Sequence, residues 1–228
     1  MHKPDPKRIA GKFELLKNDF LEEKEEKSCP ILFINGFMTP NMAVVPLLKS
    51  YQKKTKNFHV VENNLQNNLP VPEMAFKLHQ KIESLGVSEI DIVGVSYGGL
   101  IALYYATNLA TQKVKIRKLV TICSPIRGID IKAIHLVSHL PLKICETVKD
   151  MLHDGVVVDR ILTNADRLDN VDRLHIAHMN DFLAPPTKAV LPGGEAYISR
   201  FPYPTPVAHQ FACVHPSIHK KVMSFLNS

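Results

Sequence analysis

Ile90-Asp91-Ile92-Val93-Gly94-Val95-Ser96-Tyr97-Gly98-Gly99-Leu100-Ile101-Ala102-Leu103 is the stretch that decides how this chain reads. Its first residues are apolar and β-branched, the pattern of a buried strand; its last are good helix formers. Between them stands Gly94-Val95-Ser96-Tyr97-Gly98. A strand that turns straight into a helix lifts the middle residue onto a sharp bend. A serine hydroxyl becomes a useful nucleophile only when it projects in this way, open to a base. Gly94 and Gly98 remove Cβ atoms where strand and helix crowd, and Gly99 relaxes the crowding further. The helix also aims its positive end, and the Tyr97 amide, at any oxyanion that develops beside Ser96. Gly-x-Ser-x-Gly alone is a loose pattern, and a glycine-rich turn with a structural serine is the plain alternative. The strand–turn–helix setting distinguishes the two.

Working outward, Ile31-Leu32-Phe33-Ile34 is a short continuous apolar run of the kind parallel strands show. Further strands are expected at Phe58–Val61, Ile90–Val93, Leu119–Cys123, Leu174–Met179 and Ala196–Ile198. Helical spacing of apolar residues falls at about 41–55 (Met42, Val45, Leu47, Leu48), 72–85, 97–110 and 216–226. Strands alternating with helices predict an α/β fold, a mostly parallel sheet of about six strands covered by helices on both faces. Residues 1–28 are polar, with Ile9, Phe13, Leu15, Leu16 and Phe20 spaced for a surface helix, and form an N-terminal extension. The remainder, 29–228, reads as one domain. Its long connection between Cys123 and Leu174 requires a short helical, cap-like insertion at about 126–172.

The nucleophile segment resembles that of the α/β-hydrolase superfamily, and more narrowly its small lipases and esterases; the likeness covers nearly everything after residue 29. Ser124-Pro125-Ile126-Arg127-Gly128 looks like the Thr-Pro-His-Arg-Gly segment of many lipases. In that family an early strand ends in a His-Gly-x loop whose last amide helps to hold the oxyanion. Ile34-Asn35-Gly36-Phe37-Met38 occupies that place here, so the resemblance nominates the Phe37 amide beside that of Tyr97. Asn35 stands where the family usually has His, and Val95 where a second His is frequent.

A serine nucleophile needs an imidazole to take its proton, and a carboxylate to fix that imidazole's tautomer. In this fold the chain order is Ser, acid, His. Asn180-Asp181-Phe182-Leu183-Ala184-Pro185-Pro186 follows an expected strand and resembles the family's Asp-x-x-Val-Pro-Pro loop, which makes Asp181 the acid. Asp166, Asp169 and Asp172 precede that strand and would lie toward its wrong end. His209 stands where the family's triad His is found, in a loop before the last helix, with His215 as runner-up. His175 and His178, three apart on a strand, face opposite sides and cannot share a metal. His135 and His139 have no Glu or Cys beside them in a metal-binding pattern.

The expected activity is therefore cleavage of carboxylic esters through Ser96, His209 and Asp181 and an acyl-enzyme, with no metal or organic cofactor. A thioesterase or acyltransferase with the same triad is the near alternative, and a catalytically inactive fold used for binding the distant one. The expected partner is a small-molecule or lipid ester. The net charge of +6 over 228 residues leaves room for peripheral contact with anionic lipid, while no Arg-rich or aromatic-basic stripe suggests nucleic acid. No run approaches the roughly 18 apolar residues of a membrane span. The N-terminal sequence lacks an apolar core of the secretory type, and the four scattered cysteines fit free thiols, so a cytoplasmic setting is expected.

Overall fold

The computed structural model describes residues 29–36, 49, 51–52, 57–61, 69–130, 146–203 and 207–228. The expected N-terminal helix within 1–28, Phe37, His135, His139 and part of the insertion lie outside the described residues. Of the expected helix at 41–55 only 49, 51 and 52 are described, and they are helical.

Six strands make the sheet: β1 (Ile31–Ile34), β2 (Phe58–Val61), β3 (Glu89–Val95), β4 (Lys115–Ile122), β5 (Asp172–His178) and β6 (Glu195–Ser199). Their order is β2-β1-β3-β4-β5-β6, and every neighbouring pair is parallel. Parallel strands feed helices onto both faces, which is why β1 and the body of β3 are buried on each side. The chain moves outward from β1 to β2, then returns to lay β3 on the other side of β1. Such a reversal opens a crevice at the strands' C-terminal ends, the usual ligand position in open α/β sheets. Asn35 and Ser96 are the residues that leave β1 and β3 at that crevice.

On one face pack α1 (Val71–Leu85), α2 (Tyr97–Tyr104) and α4 (Val156–Thr163). Helix α1 buries Val71, Met74, Ala75, Leu78 and Ile82, a stripe at helical spacing. Pro72 lies in its first turn, and Gly86 in the left-handed conformation (φ 62°) ends it. Helix α2 is buried throughout and passes into a π turn at Tyr105–Leu109. The opposite face holds α6 (Ala208–Val214) and α7 (Pro216–Leu226), which cover Phe33, Val93, Val120 and Ile176. The described part of the insertion contains α3 (Glu146–Asp150), α4 and a 3₁₀ turn at Ala165–Leu168; α5 (Pro186–Ala189) follows β5.

Strand β4 starts four residues earlier than its apolar run predicts. Arg117 and Lys118, charged as they are, have partners across the fold. The Arg117 guanidinium grips the buried Asp91 carboxylate on β3 with two hydrogen bonds, one of 2.9 Å from Nε. Lys118 Nζ donates to the Phe225 carbonyl at 2.7 Å, near the C-terminal end of α7, where unpaired carbonyls favour a cation.

Candidate active site

Ser96 is the first residue after β3, and its backbone is bent to φ 52° and ψ −119°. A non-glycine residue held there costs about 1–3 kcal/mol and persists only where its surroundings enforce it. Those surroundings are backbone. A Cβ on Gly94 would come within 2.5 Å of the Gly98 carbonyl oxygen, and one on Gly98 would fall onto the Ile34 carbonyl oxygen. The glycines thus let β3, α2 and the end of β1 approach closely enough to fix the bend. The Ser96 amide donates to the Ile122 carbonyl at 2.7 Å, which ties the bend to β4 as well.

From this bend the Ser96 hydroxyl reaches His209 Nε2 at 2.9 Å. His209 Nδ1 in turn donates to Asp181 Oδ2 at 2.7 Å. The other carboxylate oxygen, Asp181 Oδ1, accepts the Leu183 and Ala184 amides, each at 3.0 Å. Asp181 is buried, so these bonds fix its orientation; with Nδ1–H committed to it, the neutral imidazole presents a lone pair at Nε2. Three residues separated by 85 and 28 positions in sequence form one hydrogen-bonded line.

Burial works against a charged His209, while Cys213 beside it and the hydrogen bond and charge of Asp181 work for it. The balance raises its pKa from 6.5 to about 9. His175 goes the other way. Fully buried and hydrogen-bonded to Thr121 Oγ1 at 2.8 Å, it is pushed down to about 4, mainly by burial and then by Arg173.

The runner-up and rival residues have other positions. His215 caps α7, where its Nδ1 accepts the Ser217 amide at 3.2 Å, and its ring stacks on Phe201 with centroids 3.6 Å apart. Asp166, Asp169 and Asp172 lie before or at the start of β5, at the far end of the sheet from Ser96. His178 points away from His175 and bonds Ser199 Oγ at 2.9 Å. Tyr97 opens α2 directly after Ser96, so its amide belongs to the helix N-terminus. His209 differs from expectation in its setting: it is the second residue of helix α6, not part of a loop. That short helix exists because the His215–Pro216 step breaks what would otherwise run on as one helix with α7.

Sequence reasoning missed the residues that hold α6 in place. His219 on α7 is in hydrogen-bond contact with the Cys213 carbonyl through Nε2 at 2.9 Å and with Tyr51 Oη through Nδ1 at 3.2 Å. Cys123, directly after β4, has a left-handed backbone (φ 49°) and is fully buried. Among the described residues no group of His, Cys, Asp and Glu is arranged to hold a metal ion. None of the described helices is long and apolar enough to cross a membrane.

This all-parallel sheet with Ser96 on its strand–helix bend is the α/β-hydrolase fold. No family model and no curated protein sequence matches the chain. Solved structures do match. A lipase of Bacillus licheniformis in its mature form superposes with a TM-score of 0.65 at 15% identity, covering 90% of this chain and 94% of its own. The product of a Listeria innocua gene gives 0.64 at 19% identity, over 89% and 95%. A carboxylesterase of Bacillus subtilis gives 0.60 at 13% identity, over 96% and 97%.

Proposed function

We propose that the chain is a serine hydrolase of carboxylic esters. The observation that carries this reading is the line of hydrogen bonds from Ser96 through His209 to Asp181, set on a strained strand–helix bend. Likeness in fold to proteins named as a lipase and a carboxylesterase supports it.

In this reading His209 Nε2 takes the Ser96 proton as Oγ attacks the ester carbonyl carbon. The carbonyl π bond breaks and its oxygen becomes an oxyanion, held by the Tyr97 amide and by that of Phe37, nominated from sequence. The imidazolium is stabilised by Asp181 and gives its proton to the departing alkoxide as the acyl-enzyme forms. A water deprotonated by the same nitrogen attacks the acyl carbon, and the carboxylic acid leaves as Ser96 recovers its proton.

A fluorophosphonate probe tests the nucleophile. The wild-type chain should be labelled at Ser96, and Ser96→Ala should lose both labelling and turnover of a graded p-nitrophenyl ester series. Full activity in Ser96→Ala would overturn the proposal. Labelling without turnover of any ester, but with turnover of acyl thioesters, would move the reading to a thioesterase.

A further inference from the structure

Among the described residues, Ser96 and Cys123 are the non-glycine residues with a left-handed backbone, at φ 52° and φ 49°. They stand side by side, because each follows one of the paired residues Val95 and Ile122 that end β3 and β4. Such a backbone persists in a non-glycine residue only where its surroundings enforce it. The bend at Ser96 serves the chemistry above; the bend at Cys123 has no part in it. It turns the chain off the line of β4, and the next residue, Ser124, is fully buried.

The Ser124 side chain meets the Ser96 bend at two places. A Cβ on Gly99 would stand 1.9 Å from Ser124 Oγ and 2.7 Å from Ser124 Cβ, so the serine fills the space that a side chain at 99 would need. Ser124 Oγ also faces the Ile122 carbonyl at 3.4 Å. These contacts lie on either side of Ser96. The Ile122 carbonyl accepts the Ser96 amide at 2.7 Å, and the Gly99 amide donates to the Ser96 carbonyl at 3.0 Å. Both backbone groups of Ser96 are thus held by groups that Ser124 touches. At 3.4 Å the bond to Ile122 is long and weak, so the contact with Gly99 carries more of the effect. A close-packed interior has no slack to absorb a shift at such a contact and passes it on.

We infer that Ser124 is a positioning residue: its side chain, turned inward after Cys123, wedges against Gly99 and sets where Ser96 Oγ stands relative to His209 Nε2. Fully buried, it acts through Gly99 and Ile122 and not on substrate. Its effect on rate rests on Ser96 being the nucleophile; the wedge itself does not. A displacement of about 1 Å in such a constellation can cost about 100-fold in rate.

Exchanging bulk across the contact tests this in the full chain, by fluorophosphonate labelling, ester kinetics and hydrogen exchange at the Ser96 amide. Gly99→Ala drives a methyl group into Ser124 and should slow labelling about 100-fold. Adding Ser124→Ala removes the 1.9 Å clash but leaves the one at 2.7 Å, so recovery should be partial. Adding Ser124→Gly instead removes both and leaves the Gly94 carbonyl oxygen, at 3.4 Å, as the next neighbour. Labelling should then return to within about 10-fold of wild type. Alone, Ser124→Ala leaves Gly99 unsupported and should lower kcat about 10-fold with KM unchanged, about half the 1 Å displacement in logarithmic terms. A merely structural serine would lower the urea midpoint and leave kcat of the folded protein as in wild type. Where Gly99→Ala does not fold, Ser124→Ala decides alone. Wild-type labelling in Gly99→Ala, a Gly99→Ala/Ser124→Gly chain no faster than Gly99→Ala, or wild-type kcat in Ser124→Ala would overturn the inference. If the wild-type chain neither labels nor turns over an ester, the hydrolase reading falls and exchange judges the wedge. Exchange at Ser96 should quicken in Gly99→Ala and slow again on adding Ser124→Gly; exchange unchanged throughout would overturn the wedge as well.

Discussion

At Ser96 the backbone is held against its own preference by contacts that leave no room for a side chain at Gly94 or Gly98. Gly98→Ala places a methyl group on the carbonyl that ends β1, which belongs to the central sheet and cannot move aside cheaply. A loss of about 1–3 kcal/mol is expected from such overpacking, read as a lower urea midpoint, with slower fluorophosphonate labelling because the bend must open. Unchanged midpoint and labelling would show the bend to be less crowded than these contacts imply. His209 carries a second expectation. Only its neutral form accepts the Ser96 proton, and its pKa is raised to about 9. The lower limb of a kcat/KM–pH profile should therefore lie above 6.5, with activity rising as pH climbs toward about 9. A limb at or below 6.5 would contradict the raised value. Of these residues, Ser96, Asp181 and His209 were legible in sequence because each sits in a short local pattern. Tyr51 and His219 were not: 168 positions separate them, and only the packing of α7 brings their side chains together.

Among the elements, α6 has the most to do with the site and the least to announce it. Its seven residues are too few to be stable alone, so its position depends on neighbours. Through the buried His219 it is tied to α7 and to the buried Tyr51. His219→Leu keeps the bulk but orphans the Cys213 carbonyl and the Tyr51 hydroxyl, at about 1–3 kcal/mol for each group left unsatisfied. The expected outcome is a lower urea midpoint, together with a fall in kcat larger than any rise in KM, since α6 carries His209 but is not needed for substrate to enter. Wild-type stability in this variant would remove His219 as an anchor. The strands, in contrast, could be read directly: β1 and β2 coincide with their apolar runs. Strand β4 reads short in sequence because Lys115 and Arg117 resemble loop residues until Glu89 and Asp91 are known to lie beside them. Helix α6 reads as a loop in sequence because its apolar stripe is too short to show a period. Local pattern marks what is buried continuously; it is silent where a charge or a short turn of helix is accommodated by something distant in sequence.

For the molecule as a whole, its buried histidines make stability depend on pH from two sides. His175 and His219 are neutral in the fold, both held at about 4 chiefly by burial. Between 6.5 and about 4 the unfolded chain binds their protons and the folded chain does not, so stability falls as pH falls through that window. Each histidine contributes a slope of up to about 1.4 kcal/mol per pH unit. His209 has the opposite sign. Its raised pKa means the folded chain keeps a proton that the unfolded chain gives up, so its contribution is full below 6.5 and is lost as pH rises through about 9. The two windows meet near 6.5 without overlapping. Urea unfolding measured from pH 4.5 to 9.5 should therefore give a dome whose acid limb flattens in His219→Leu and whose alkaline limb flattens in His209→Gln. Because each substitution removes one titrating group, each should act on its own limb alone. A variant that flattened the other limb, or a wild-type profile without a maximum, would mean that carboxylates and lysines, not these imidazoles, govern how the fold responds to pH.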